Sequence, residues 1–262
     1  MGMVPAQIAE AADLLDAAHT AVRPVNQLTQ RYPEMDVADA YAIQQRNLAR
    51  RLADGRKLVG HKIGLTSAPM QTLLGVDEPD FGYILDDMVV PDGSAVPQAR
   101  FCAPRVEPEV AFLLRKPLRG PGVTGEEVYA ATEAVAVALE IVDSRIADWK
   151  RTLPDTVADN ASSGAVVLGP WVAYTDQIVL PEARASLVLN GSEIDSGLGS
   201  AVLGDPAAAV AWLANALAPF GTDILPGQLV MSGSFTTAAF VHTGDMASAT
   251  ISGLGSVSVV FT

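Results

Sequence analysis

The chain has 262 residues, 49% hydrophobic and 18% charged, enough to bury a sizeable core and with no segment of disordered composition. A net charge of −13 at pH 7 would repel phosphates, which excludes a nucleic-acid partner. The single cysteine, Cys102, permits neither an internal disulfide nor a cysteine zinc site, and fits a reducing compartment.

Glu10, Asp13 and Asp16 deny the N-terminus the apolar core of a signal peptide. No uncharged apolar run reaches about 18 residues, so the expectation is a cytoplasmic protein without a membrane span. Ile8, Ala11, Ala12, Leu15 and Ala18 recur at helical spacing and predict a helix from Pro5 to about Ala18. A second helix is expected from an N-cap at Asp36, with Val37, Tyr41, Gln44, Leu48 and Leu52 on one stripe and Gly55 ending it. These precede every strand signal, so residues 1–55 read as a helical N-terminal part packed on a domain formed by 56–262.

Lys57 to Leu65 is the first expected strand. Alternation puts Leu58, Gly60, Lys62 and Gly64 on one face, and the glycines leave room beside the lysine for a ligand. The same glycines could instead mark a bulge, and Lys62 could reach solvent. His61 falls on the opposite face with Ile63 and reads as structural. A short helix is expected from Met70 to Leu74, followed by the acidic stretch Val76 to Gly82, which could be a surface turn or could hold Asp80 over a site.

Arg105-Val106-Glu107-Pro108-Glu109-Val110 opens a strand whose two acids share a face. A solvated edge strand would explain them, and Pro108 suits an edge. Glu140 interrupts the apolar run Val135 to Val142, where an unpaired charge would be costly. Together, Glu107, Glu109 and Glu140 are an all-oxygen ligand set suited to a hard divalent cation, Mg²⁺ or Mn²⁺. Thr124 and Glu127 form a capping box before the Glu140 strand, and Asp143-Ser144-Arg145 and Asp159 to Gly164 are polar clusters able to orient a substrate or to cap turns. Strand signals at Ser186 to Leu189, Gln228 to Ser232, Met246 to Ser252 and Ser256 to Phe261, with one helix after Asp205-Pro206, indicate an α+β roll.

These motifs, in this order, resemble the 2-oxo-acid hydratase and decarboxylase group of the fumarylacetoacetate hydrolase fold. The resemblance covers nearly the whole chain. It is carried by 38–45, 59–67, Glu78-Pro79-Asp80-Phe81-Gly82, Pro104 to Glu109, Ala138 to Ile146 and Asp159-Asn160-Ala161-Ser162. It implies a mixed β-roll catalytic domain with Glu107, Glu109 and Glu140 as metal ligands, Lys62 and Asp80 in the chemistry and Ser162 near the substrate. It also implies a homo-oligomer, a pentamer or decamer. Asp80 resembles the hydratases rather than the 4-oxalocrotonate decarboxylases. The reaction implied is hydration of 2-hydroxypenta-2,4-dienoate in aromatic meta-cleavage catabolism, with hydration of a longer dienoate or dioate, or decarboxylation of a 2-oxo acid, as alternatives.

Overall fold

Asp36 caps a helix because its carboxylate accepts the Asp39 backbone N–H at 2.9 Å, and Gly55, at φ 89°, lets the chain leave that helix in the left-handed region. In the computed structural model, which describes residues 2–67, 71, 72 and 75–262, the N-terminal elements are α1 (Pro5–Ala21), α2 (Leu28–Arg31) and α3 (Val37–Ala53). Leu52, expected on the buried stripe of α3, is exposed, because the helix leaves the core in its last turn. Gln44 is buried and donates its amide to the carbonyls of Phe81 (2.9 Å) and Val157 (3.0 Å), while Tyr41 stacks on Phe81 at 4.4 Å. These contacts tie α3 to the sheet that follows. The expected helix from Met70 to Leu74 falls largely outside the described residues.

The strands are β1 (Leu58–Gly64), β2 (Asp80–Leu85), β3 (Val89–Pro91), β4 (Ser94–Val96), β5 (Arg105–Leu114), β6 (Thr132–Val142), β7 (Ser163–Leu168), β8 (Val172–Ala173), β9 (Arg184–Leu189), β10 (Ser192–Leu198), β11 (Leu229–Ser234), β12 (Ala239–Phe240), β13 (Met246–Ile251) and β14 (Gly255–Phe261). Helices α4 (Gly125–Ala131), α5 (Leu153–Ala158) and α6 (Pro206–Leu217) lie between them. A nine-stranded sheet runs β2-β1-β11-β5-β6-β7-β3, with β12 paired to β5 and β8 to β6, and a five-stranded sheet runs β10-β9-β13-β14-β4. Phe112, Leu139, Ile141, Val257, Val259 and Phe261 are fully buried in the main core, which the N-terminal helices also join through Ala11, Ala12 and Ile43. The architecture is α+β, with curled mixed sheets.

The span Gly199–Phe220 is long and apolar enough to cross a membrane by length and composition, but half of it is buried within this fold, where α6 packs Val210, Leu213 and Leu217 into the core. The acids of β5 do not stand on an edge strand, because β5 pairs with β6 on one side and with β11 and β12 on the other. Pro108 is tolerated there because the β11 pairing is irregular between Met231 and Ser234, and the proline carbonyl still accepts the Phe235 N–H at 3.1 Å.

Candidate active site

Register alone brings the acids together. In the β5–β6 pair Glu107 stands directly opposite Glu140, and Glu109 follows on the same face opposite Ala138. One oxygen from each of Glu107, Glu109 and Glu140 lies within 4.8 Å of the others. Lys62 reaches this face by the same logic: it pairs with Met231 of β11, which pairs with Ala111 of β5, and Ala111 alternates with Glu109 and Glu107. The Lys62 ammonium sits 3.3 Å from Glu140 Oε1 and donates to the Ala161 carbonyl at 3.0 Å. His61 points to the other face, fully buried, and burial pushes it down to about 4, so the ring is neutral.

The two glycines beside Lys62 do different things. Gly60 does not open space for a ligand: a methyl there would overlap the Leu229 carbonyl, and the β1–β2 register shifts at this point. Gly64 does open space, since a methyl there would overlap Asp80 Oδ1 and stand 3.3 Å from Lys62 Nζ. Asp80 is not in a surface turn. It begins β2, pairs with Gly64 and is 2% exposed, with Oδ1 lacking a hydrogen-bond partner among the described residues.

The loop after α5 closes one side. Asn160, Ala161 and Ser162 all take left-handed φ values, 54°, 50° and 54°, a strained run for residues with a Cβ. It is held in place because the Asn160 side chain accepts from the Tyr83 N–H (2.8 Å) and donates to the Tyr83 carbonyl (3.0 Å). In addition, Arg145 grips Asp159 through its backbone N–H (2.9 Å) and Nε (2.5 Å). The loop fits over β2 only because Gly82 has no side chain, since a methyl there would lie 2.6 Å from the Asn160 carbonyl. The result is the Ala161 carbonyl aimed at Lys62. Ser162 sits one layer back, its hydroxyl 3.2 Å from that of Thr156, and Thr156 rather than Ser162 lines the cavity.

That cavity, about 450 Å³, opens over Lys62, Asp80, Glu107 and Glu140. It is also lined by residues that sequence reading missed: Arg105, Trp149 and Arg151 on one flank and the 234–238 loop on another. Arg105 was legible, because it alternates with Glu107 and Glu109; Trp149 and Arg151 carry no periodic signal. The Gly233 N–H that precedes the loop donates to Glu109 Oε2 at 2.8 Å, leaving Oε1 buried without a partner.

The electrostatics describe a site short of positive charge. Burial, then Glu140, pushes Glu107 up to about 7. Burial also raises Glu109 well above the usual carboxylate range, with Glu140 and Glu107 adding to it, and raises Glu140 although Lys62 pulls it back. Burial works against the Lys62 charge, but Glu140, Asp80, Glu109 and Glu107 outweigh it and the ammonium is raised. Asp80 is raised by burial, with Lys62 and Arg151 opposing. Two buried carboxylates and a half-buried one facing one ammonium, with Glu109 Oε1 and Glu140 Oε1 lacking hydrogen-bond partners among the described residues, fit a hard divalent cation.

The folded cluster holds protons that an unfolded chain, with ordinary carboxylates near 4.3, releases at lower pH. Those protons favour the metal-free fold at low pH, and that contribution is lost as pH rises through about 7. Magnesium should therefore bind with proton release and raise the melting temperature more at pH 8 than at pH 6. Calorimetry in two buffers of different ionisation enthalpy, with melting curves, checks this; equal stabilisation at both pH values would contradict it.

A family model described as fumarylacetoacetate (FAA) hydrolase C-terminal matches residues 49–262. The chain belongs to this family. It is 48% identical to 2-hydroxyhexa-2,4-dienoate hydratase of Comamonas testosteroni over 95% of both chains. It is 43% identical to 2-keto-4-pentenoate hydratase of Paraburkholderia xenovorans (strain LB400), over 99% of this chain and 96% of that one. Among solved structures, 4-oxalocrotonate decarboxylase from Pseudomonas putida G7, complexed with magnesium and adipate, matches with a TM-score of 0.96 at 36% identity, covering 99% of each chain. Membership in the fumarylacetoacetate hydrolase family accounts for the α+β roll.

Proposed function

We propose that the chain is a metal-dependent hydratase that converts 2-hydroxypenta-2,4-dienoate (2-oxopent-4-enoate) to 4-hydroxy-2-oxopentanoate in aromatic meta-cleavage catabolism. The observation that carries the reading is Asp80, a buried carboxylate with a free oxygen, set beside Lys62 on the face that holds the three glutamates. Glu107, Glu109 and Glu140 would hold the cation, Mg²⁺ or Mn²⁺. That ion supplies Lewis-acid polarisation of the C2 oxygen of a 2-oxo acid.

The chain's own residues do the proton work. As the C2 hydroxyl of the dienol loses its proton, C5 gains one and a conjugated ketone results; water oxygen then bonds to C4 while C3 takes a proton. Lys62, kept charged by its acidic neighbours, can hold or deliver a proton and offset negative charge. Asp80 is the group able to orient water and take its proton. Ser162 supports the substrate wall through Thr156. The proposal includes a cytoplasmic homo-oligomer, pentameric or decameric, which sedimentation of the purified protein tests.

Decarboxylation of a 2-oxo acid is the second reading, because a decarboxylase has nearly the same fold. Incubation with the dienol and magnesium is expected to bleach its absorbance and yield 4-hydroxy-2-oxopentanoate. Carbon dioxide release from a 4-oxalocrotonate-type acid, with the dienol left intact, would overturn the hydratase reading.

A further inference from the structure

Arg105 and Arg151 stand out because, among the described residues, neither guanidinium makes an ion pair or a side-chain hydrogen bond. The Arg105 guanidinium lies 4.2 Å from the Trp149 ring centroid and 4.0 Å from that of Phe240, and Arg151 lies 4.5 Å from the Trp149 centroid. Both arginines line the cavity, and the Nε of each is buried without a partner among the described residues. Arg145 shows the contrast: more deeply buried than either, it is bonded to Asp159 and to the Ser163 carbonyl. Two guanidinium groups stacked on one indole, with no carboxylate ion-paired to either among the described residues, leave their donors available to an anion entering the cavity. Their planar forks match a carboxylate.

Position says which carboxylate. Arg105 is on the same face of β5 as Glu107 and Glu109, one two-residue step beyond Glu107, or about 7 Å along the strand. A 2-oxo acid anchored at the glutamates uses its C1 carboxylate and C2 oxygen there, so the arginines meet what lies further along the chain. A cavity of about 450 Å³ has room for such an extension. We infer that Arg105 and Arg151 form a second anion subsite that binds a carboxylate at the far end of the substrate, so that a dicarboxylic 2-oxo acid is held more tightly than a monocarboxylic one of equal length. The inference rests on the glutamates anchoring a 2-oxo acid, and it extends the substrate range beyond the five-carbon dienol.

The test titrates the magnesium-loaded protein calorimetrically with 2-oxoadipate and with 2-oxohexanoate, which differ only in the terminal carboxylate. The wild type is expected to prefer 2-oxoadipate by about tenfold or more, the scale of a charge-assisted bidentate contact. Arg151→Gln should compress that preference to within about threefold. Arg105→Lys, which keeps the charge and the stem but loses the planar fork, should also reduce it. Equal affinities in the wild type would overturn the subsite, as would a preference that survives both substitutions. Parallel weakening of both ligands would also overturn it, by assigning the arginines to the shared 2-oxo acid end. A wild-type preference near one with dienol hydration intact would sink the subsite alone, and a tenfold preference without hydration would sink the hydratase reading alone.

Discussion

Glu107→Gln is expected to remove nearly all turnover while leaving the fold intact. Glu107 faces Glu140 across the β5–β6 ladder, opens onto the cavity and lies within 4.8 Å of both other carboxylates, so it completes the ligand set from the accessible side. An amide there keeps the volume but removes a negative charge and one strong oxygen donor. Loss of a partner one layer outside a metal site costs 10- to 100-fold in affinity or activity, so loss of a direct ligand should exceed that, on the order of 10³-fold in kcat/KM. Stability should move the other way, because the substitution relieves repulsion among buried acids that Lys62 only partly balances. The metal-free variant should therefore melt at or above the wild-type temperature and lose most of the magnesium-induced increase. Full turnover in Glu107→Gln, or in protein stripped of metal by EDTA, would remove the glutamates from the chemistry.

Alternation along the strands makes much of this site legible in the sequence. Glu107 and Glu109 share a face because strand side chains repeat every second residue, and Glu140 stands out because a charge inside an apolar run needs a partner. Alternation sets Lys62 on the face it occupies, but only one of its two flanking glycines makes room beside it. Gly64 does clear room for Asp80 and the ammonium, whereas Gly60 admits a neighbouring backbone. Two features were hidden because they depend on long-range pairing. Pro108 suggested an edge, since nothing local reveals that the β11 ladder breaks beside it and that Phe235 bonds its carbonyl instead. Likewise, the left-handed run at Asn160, Ala161 and Ser162 depends on Tyr83 and Arg145, which are distant in sequence. Ser162, expected near the substrate, stands behind Thr156, the hydroxyl that lines the cavity.

Asp80→Asn is expected to separate hydration from metal and 2-oxo acid binding. Decarboxylation of a metal-chelated 2-oxo acid needs only an electron sink, but adding water at C4 also needs a base to orient and deprotonate that water. Asp80 has the attributes of such a base. It is buried, so little bulk water competes for it; it has a free Oδ1; and the bare Gly64 leaves the space that this oxygen occupies. Burial raises its proton affinity above that of an ordinary aspartate, while Lys62 and Arg151 favour the charged form. Asparagine is nearly isosteric and can hold a water but cannot accept its proton, so hydration should fall by about 10²- to 10⁴-fold, the usual cost of a lost general base. Magnesium affinity and the binding of saturated 2-oxo acids should stay within a few fold, because neither depends on a proton acceptor at this position. Exchange of the C3 proton of a 2-oxo acid in deuterated water should persist, since enolisation relies on the anchored C2 oxygen. Stopped-flow decay of the dienol, read beside that exchange by NMR, distinguishes the outcomes. Unimpaired hydration in Asp80→Asn, with Glu107 and Lys62 intact, would strip Asp80 of this role and reopen the decarboxylase reading.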